Sequence, residues 1–313
     1  MCLNKITRNI LPILLLAASV IGCGSSSTPA QATLGSVLID ILLSSKFSVP
    51  AVDATATGTG SLTLNRDSGA LSGSITTAGL SGAASAAHIH SGIAGVAGGV
   101  IITLENDTNI AVWNVPTGTT LSSDQMAALL SASYYINVHT SANPSGELRG
   151  QIIPDGYEVI RTSLASENEV PPVAGTNSGI GYLTINAAAK SVQGNITNTG
   201  LDDASAAHIH GAAIAGINAG VIVGFVQDTG NTAVWSLDST MLTQADMDSL
   251  LAGATYLNVH TPAYPSGEVR GQIASAGIQV IRTSLASENE VPPVTGTNSG
   301  IGYLTVNTAT REI

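Results

Sequence analysis

The sequence predicts an all-β protein built from tandem antiparallel sandwiches or barrels, each with one short helix. Charged residues make up 10% of the chain and aromatic residues 4%, whereas glycine and small residues are abundant. This composition suits short strands joined by turns better than long solvated helices. Runs of alternating polar and apolar residues, such as GSLTLN at 60–65, are separated by turn signals. These runs also recur along the chain in the same order, which indicates repeated domains.

The repeats define the predicted domain organisation. SLASENEVPPV at 163–173 recurs unchanged at 284–294, and a weaker copy begins at residue 45. The motifs HIH, AVW and NVHT each occur twice. The chain therefore contains two complete units, predicted at 35–157 and 158–276, and the first part of a third at 277–313. A lone hairpin is marginally stable in water, so the third part either docks on the second unit, exchanges with another chain or stays loose.

One helical pattern is expected in each complete unit. LSSDQMAALLSA follows AVW in the first unit and LTQADMDSLLAG in the second. Ser122 and Gln125 have the spacing of a capping box, in which each side chain bonds the backbone N–H of the other, and Thr243 with Asp246 is a poorer version. We therefore expect a helix to begin just after Ser122 and another just after Thr243.

The first residues have the pattern of an export signal. Lys5 and Arg8 precede an apolar run at 10–20, which is too short to span a bilayer as a mature helix. The run ends in VIGC at 20–23, which resembles the lipobox of bacterial lipoproteins. That resemblance implies a signal peptide at 1–22, an acylated Cys23 and a flexible tether at 23–34, with ordinary secretory cleavage nearby as the alternative. In a Gram-negative host, glycine after Cys23 further implies the outer membrane.

Charge and cysteine content exclude several classes of function. The net charge is −11 and no basic patch is visible, so nucleic acid is not an expected partner. The two cysteines are Cys2, which lies in the predicted signal peptide, and Cys23, which would carry lipid. A mature chain without a free thiol has neither a disulfide nor a thiolate metal site.

The six histidines of the chain fall into two matching sets. Residues two apart on a strand point to the same face, so His88 and His90 should project together. In YINVHT, Asn137 and His139 share one face, and in ELRGQI Glu147 and Arg149 do the same. If the apolar sides face the core, these side chains lie on a common polar outer surface of the sheet. The second unit offers the equivalent residues His208, His210, His260, Asn258, Glu268 and Arg270.

Two interpretations of the histidine sets follow from their chemistry. Three imidazoles can hold zinc or copper with one coordination position open, and Asn137, Glu147 and Arg149 could orient the rings from behind. The glycine-rich stretch at 91–99 could fold close over such a site. Alternatively, the histidines bond the loop backbone and hold that loop to the sheet. No catalytic residue is predicted.

Two further motifs have structural interpretations. Glu147 and Arg149, like Glu268 and Arg270, are expected to form a same-face pair on an edge strand or to anchor the preceding turn. SENEVPP at 166–172 places two carboxylates before a proline pair, which predicts an exposed strand entry.

The motifs SAAHIH, YINVHTSANPSGELRGQI and YLNVHTPAYPSGEVRGQI resemble the CHRD domain, first defined in chordin. The resemblance covers nearly all of residues 37–275 and the start of a third copy. It implies Greek-key β-sandwiches similar to immunoglobulin domains and to Cu/Zn superoxide dismutase, whose copper-ligand pair the His-x-His motif resembles. Counterparts of that enzyme's bridging histidine, zinc loop and disulfide are not recognisable here. In the first unit KFS also stands where the later copies have ENE.

Together these features predict a lipid-anchored protein of the cell envelope, with tandem CHRD-like domains that act as a non-enzymatic binding or structural module. Its expected partners are the membrane, through Cys23, and an unidentified protein or glycan at the cell surface. The alternative function is copper or zinc binding through the two histidine triads, and redox chemistry at a copper site is a weaker option.

Overall fold

The computed structural model describes residues 34–106 and 111–310. The predicted signal peptide, the acylation site Cys23 and all but the last residue of the predicted tether lie outside these residues. Within them, no helix has the length and apolar character needed to cross a membrane.

Domain 1 is one antiparallel sheet with a single short helix. Its strands are β1 (Ser36–Ser44), β2 (Thr57–Asn65), β3 (Leu71–Ala78), β4 (Ala84–Ser91), β5 (Val100–Thr103), β6 (Glu105–Asn106), β7 (Val112–Asn114), β8 (Tyr134–Thr140) and β9 (Leu148–Gln151), and its helix is α1 (Ser123–Leu130). The strand order is β5-β4-β8-β9-β1-β2-β3-β7-β6. The chain crosses the sheet between β3 and β4, so the sheet is not a simple meander.

Domain 2 repeats this architecture. Its strands are β10 (Tyr157–Ala165), β11 (Ser178–Asn186), β12 (Ser191–Thr199), β13 (Ala206–Gly211), β14 (Val221–Gly224), β15 (Val226–Gln227), β16 (Val234–Met241), β17 (Thr255–His260) and β18 (Val269–Ile273), and its helix is α2 (Gln244–Leu251). The order β14-β13-β17-β18-β10-β11-β12-β16-β15 matches that of domain 1. The predicted all-β class, with antiparallel sandwich-like or barrel-like units and one helix per repeat, is confirmed.

Strand alternation explains how each sheet encloses its core. On β1, Ile39, Ile41 and Leu43 are buried, whereas the intervening Leu38 and Leu42 are exposed. Apolar residues of β2, β3, β4, β8 and β9 join the same cluster, so the sheet curves around its apolar face. Domain 2 has an equivalent cluster. The opposite face of each sheet is free to carry polar side chains.

The predicted caps begin both helices. Ser122 Oγ accepts from the Gln125 N–H, and Gln125 Oε1 accepts from the Ser122 N–H, which completes the capping box of α1. Thr243 Oγ1 accepts from the Asp246 N–H at the start of α2. Each cap satisfies N–H groups that the first helical turn would otherwise leave unpaired.

The third repeat is a hairpin of β19 (Ile278–Ala286) and β20 (Ser299–Asn307). It docks on domain 2, because Tyr303 packs against Gly216 so closely that a Cβ at Gly216 would lie 2.7 Å from the ring. Ile278 packs against Gly253 in the same way. Of the three alternatives for this segment, docking is the one observed.

Domain 2 lies against domain 1 through equivalent positions. Tyr182 on β11 packs on Gly95, and Asn195 Nδ2 on β12 donates to the Ala94 carbonyl at 2.5 Å. Gly95 has φ of +81°, a conformation suited to glycine, and any side chain there would overlap Tyr182. The glycine-rich loop of each complete domain therefore contacts the repeat that follows it.

Candidate functional site

Adjacent strands bring the histidines of domain 1 together. β8 lies next to β4, and His88 is paired with Asn137 across these strands. Ile89 is buried in the core, so His88 and His90 both project from the opposite face, as predicted. The register of β4 with β5 shifts between Ile89 and His90. This irregularity lies at the histidine pair, where bulges often re-aim side chains.

The first triad is compact. His88 Nδ1 lies 3.1 Å from His139 Nε2. One nitrogen from each of the three rings can be chosen so that the three nitrogens lie within 4.8 Å of one another. His90 Nε2 is buried and has no hydrogen-bond partner among the described residues. Three ring nitrogens therefore face a common point.

Hydrogen bonds to backbone carbonyls determine the tautomers of two of these rings. His90 Nδ1 lies 3.0 Å from the Gly98 carbonyl oxygen, and His139 Nδ1 lies 2.9 Å from that of Pro144. A carbonyl only accepts, so both Nδ1 atoms must carry hydrogen. In a neutral imidazole the other nitrogen then has the free lone pair. The Nε2 lone pairs of both rings point into the triad.

The second triad reproduces this arrangement. His208 Nδ1 lies 3.0 Å from His260 Nε2, and His210 Nε2 lies 3.3 Å from the same atom. His210 Nδ1 donates to the Ala219 carbonyl and His260 Nδ1 to that of Pro265. This triad opens into a cleft lined by the histidines, Val221 and Pro262, among others.

Burial favours the neutral form of five of the histidines. Desolvation lowers the pKa of His88, and the neighbouring His139 and His90 lower it further. Burial is also the main cause that lowers the pKa of His260 to about 4, against the opposing effect of its bond to the Pro265 carbonyl. The pKa values of His90, His208 and His210 are likewise lowered mainly by burial. Neutral imidazole is the form that binds metal.

A tyrosine that sequence reasoning missed supports each triad. His90 and Tyr135 are stacked, with ring centroids 5.0 Å apart, and the Arg149 guanidinium carbon lies 3.5 Å from the Tyr135 centroid. Because β8 lies between β4 and β9, the tyrosine ring lies between the imidazole and the guanidinium. Tyr256 has the same place between His210 and Arg270. Strand alternation could have predicted this position, because Tyr135 precedes Asn137 by two residues and therefore lies on the same face of the sheet.

Asn137 and Glu147 hold the turn that orients His139. Asn137 Nδ2 donates to the Ser145 carbonyl, next to the Pro144 carbonyl that His139 bonds. Glu147 accepts hydrogen bonds from Thr140, Asn143 and Ser81. In domain 2, Asn258 donates to the Ser266 carbonyl, and Glu268 accepts from Thr261 and Asn177. In the described part of the chain, none of these four side chains forms a hydrogen bond with an imidazole.

The interpretation of Glu147 and Arg149 as a pair on an edge strand is wrong. β9 lies inside the sheet, between β8 and β1, and the two side chains bind different groups. Glu147 anchors the preceding turn, as the second interpretation held. Arg149 Nη2 donates to the carbonyls of Ile93 and Val96 in the glycine-rich loop. In domain 2, Arg270 donates to the Ile217 carbonyl and to Asn218 Oδ1.

The predicted polar outer surface is mostly buried. His90, Asn137, Glu147 and Arg149 are each at most 8% exposed, and in domain 2 the equivalent four residues are also buried. The glycine-rich loop returns over the sheet, as expected for residues 91–99, and supplies the carbonyls that bond His90 and Arg149. The histidines therefore pin the loop through Nδ1 while their Nε2 atoms converge.

The fold and site define a class of protein: tandem antiparallel β domains, each with a three-histidine cluster beneath a glycine-rich loop. The CHRD domain family model matches residues 39–152 and 160–273, and the chain belongs to this family. Over 163 residues it is 30% identical to chordin of Xenopus laevis, an alignment that covers 46% of this chain and 17% of that protein. No solved structure matches the chain.

Proposed function

We propose that the chain is a lipid-anchored protein of the cell envelope whose two CHRD domains each bind one zinc or copper ion through the histidine triad. The domain family and the non-enzymatic character expected of its modules support a binding role. The single observation that carries the metal proposal is the contact between His210 Nε2 and His260 Nε2.

These two atoms lie 3.3 Å apart although both rings donate from Nδ1 to a carbonyl. In neutral rings, two lone pairs then face each other, which is unfavourable without a cation or proton between them. His208 Nδ1 can donate to only one nitrogen at a time. A metal ion at the common point would satisfy both Nε2 atoms, and His208 would join them with its proton on Nε2.

The donor set suits zinc or copper. A metal-binding histidine is usually oriented by a hydrogen bond from its second ring nitrogen, often to a backbone carbonyl. Two of the three imidazoles in each triad have such a bond. No carboxylate or thiolate belongs to either group among the described residues. Three ligands leave a position open toward solvent, and nitrogen-only ligation disfavours magnesium and calcium.

The proposed location depends on the first residues of the sequence. VIGC at 20–23 supports acylation of Cys23, and multiple acyl chains on one residue attach a protein stably to a bilayer. The membrane and a surface protein or glycan remain the proposed partners.

Metal content per chain tests the metal proposal. We expect about two zinc or copper ions per chain, and about one in His90→Ala or His210→Ala, because each variant loses one triad. Each variant is the matched control for the other, since it keeps the second site. Unchanged occupancy in the variant that carries both substitutions would contradict the proposal, provided that its circular dichroism shows a folded protein.

A further inference from the structure

A cavity of about 250 Å³ lies where domain 2 meets domain 1. Domain 1 lines it with Leu42, Phe47 and Arg149, and domain 2 with Arg161 and Tyr182, among others. A cavity of about 200 Å³ recurs where the β19–β20 hairpin meets domain 2, lined among others by Arg270, Arg282 and Tyr303 at the equivalent positions. The cavity is therefore a regular product of how successive repeats meet.

Positive charge is concentrated at these two cavities. The chain has 10 lysines and arginines against 21 acidic residues. Four of those ten line the cavities, namely Arg149, Arg161, Arg270 and Arg282. In a chain of net charge −11, this distribution favours an anion at a joint whose arginines lack a neighbouring carboxylate to offset them.

Arg149 lacks the neighbouring carboxyl group that its counterpart Arg270 has. Arg270 is buried close to the carboxyl of Glu169. In domain 1, SKFS stands where domain 2 has SENE, so Ser48 occupies the position equivalent to Glu169. The Ser48 hydroxyl donates to the Glu147 carbonyl. Arg149 is 3% exposed and has no ion-pair partner in the described part of the chain. A buried cation without a counter-ion is costly.

Several large apolar side chains also line the cavity. Leu42 is 73% exposed and Phe47 is 41% exposed, and both line the cavity together with Ile153 and Val159. Covering large apolar side chains that are open to solvent is favourable, so it would stabilise a bound ligand. An apolar cavity of about 150 Å³ is enough to hold benzene, so this one accommodates a benzoate-sized molecule.

We propose that the cavity between the two domains binds a small organic carboxylate. Its carboxylate faces the guanidinium groups of Arg149 and Arg161, and its apolar body covers Leu42 and Phe47. Asp40 also lines the cavity, so the lining carries two positive charges against one negative charge. A planar guanidinium matches a carboxylate through paired N–H donors. This site includes none of the histidines and does not require metal.

Titration of the full chain with benzoate, followed by NMR of the arginine side chains, tests the proposal. We expect saturable binding, with a Kd of about 1 mM or tighter, and shifts at Arg161. Benzamide, which has the same shape without the charge, should bind at least tenfold more weakly. Arg161→Gln changes an exposed residue and should weaken benzoate binding at least tenfold, and Leu42→Ser should weaken it several-fold.

Arg282→Gln is the matched control, because Arg282 is equivalent to Arg161 but lies at the second joint, 4.0 Å from the Glu167 carboxylate. It should leave the shifts at Arg161 unchanged. Absence of saturable benzoate binding, equal binding of benzamide, or unchanged binding in Arg161→Gln would each overturn the proposal. Because the metal ligands are untouched, metal content distinguishes failure here from failure of the proposed metal function.

Discussion

The rings of His210 and Tyr256 are stacked nearly parallel, with centroids 4.9 Å apart and planes inclined by 8°. The Tyr256 hydroxyl also accepts from the Ala219 N–H, and the Ala219 carbonyl accepts from His210 Nδ1. Tyr256 therefore restrains the imidazole twice, once through the stack and once through the loop. The same two restraints act on His90 through Tyr135 and Gly98.

Removal of one hydroxyl should separate these two restraints. Tyr256→Phe keeps the stack but leaves the Ala219 N–H without its acceptor, so the loop carbonyl that orients His210 is held less firmly. We expect metal affinity at the second site to fall roughly tenfold, as is typical when a partner of a ligating histidine is lost. Metal titration in a His90→Ala background, which leaves only this site, measures the change. Tyr264→Phe alters a more exposed tyrosine of the same domain and should leave affinity unchanged.

Glu169 should make the stability of domain 2 depend on pH. Burial raises the pKa of this carboxyl from 4.5 to about 7, and the nearby Arg270 guanidinium opposes that rise. The folded protein thus holds the proton more tightly than the unfolded chain. The resulting stabilisation is present below pH 4.5 and is lost as the pH rises to about 7.

Denaturant unfolding at several pH values tests this expectation. Glu169→Gln mimics the protonated acid, so its stability relative to the unsubstituted chain should increase between pH 4.5 and pH 7. The paired comparison cancels the opposite slope that the histidines contribute. Glu167→Gln changes an exposed neighbour and serves as the control. A constant difference between Glu169→Gln and the unsubstituted chain across that range would contradict the assignment.

Gly146 is needed by the turn that orients His139. Its φ is +116°, and a Cβ there would overlap the Asn137 amide. Gly146→Ala should therefore combine backbone strain with displacement of Asn137, and we expect a loss of about 2 kcal/mol or more in the free energy of unfolding. Gly118→Ala isolates the strain, because Gly118 has φ of +82° and no other atom of the described residues lies within 4 Å of the position that a Cβ would take. Equal destabilisation of the two variants, measured by urea unfolding, would count against the overlap.

Alternation and repetition predicted most of the fold. The period of two in ASAAHIH correctly placed His88 and His90 on one face, and the spacing of Ser122 and Gln125 correctly located the start of α1. Both features depend on residues close together in the sequence. Matching motifs in the two units then extended each inference to the second domain.

Burial of the site could not be predicted in the same way, because it depends on contacts between distant segments. Arg149 reaches the carbonyls of Ile93 and Val96, more than fifty residues earlier, and this contact brings the loop over the sheet. Glu169 was expected at an exposed strand entry, yet it is 3% exposed beside Arg270. Nothing in the spacing of SENEVPP indicates which strand will cover it.

The contact of Tyr182 with Gly95, repeated by Tyr303 on Gly216, couples the glycine-rich loop of each repeat to the repeat that follows it. The loop that supplies the carbonyl partner of His90 rests on the following repeat, whose own loop rests on the next. Loosening of a later repeat therefore weakens the loop over the histidine cluster of the one before it. Because coupling between sites is reciprocal, loosening of that cluster also weakens the contact with the later repeat. In such a nearest-neighbour array, the unfolding free energy of a domain includes a share from its successor.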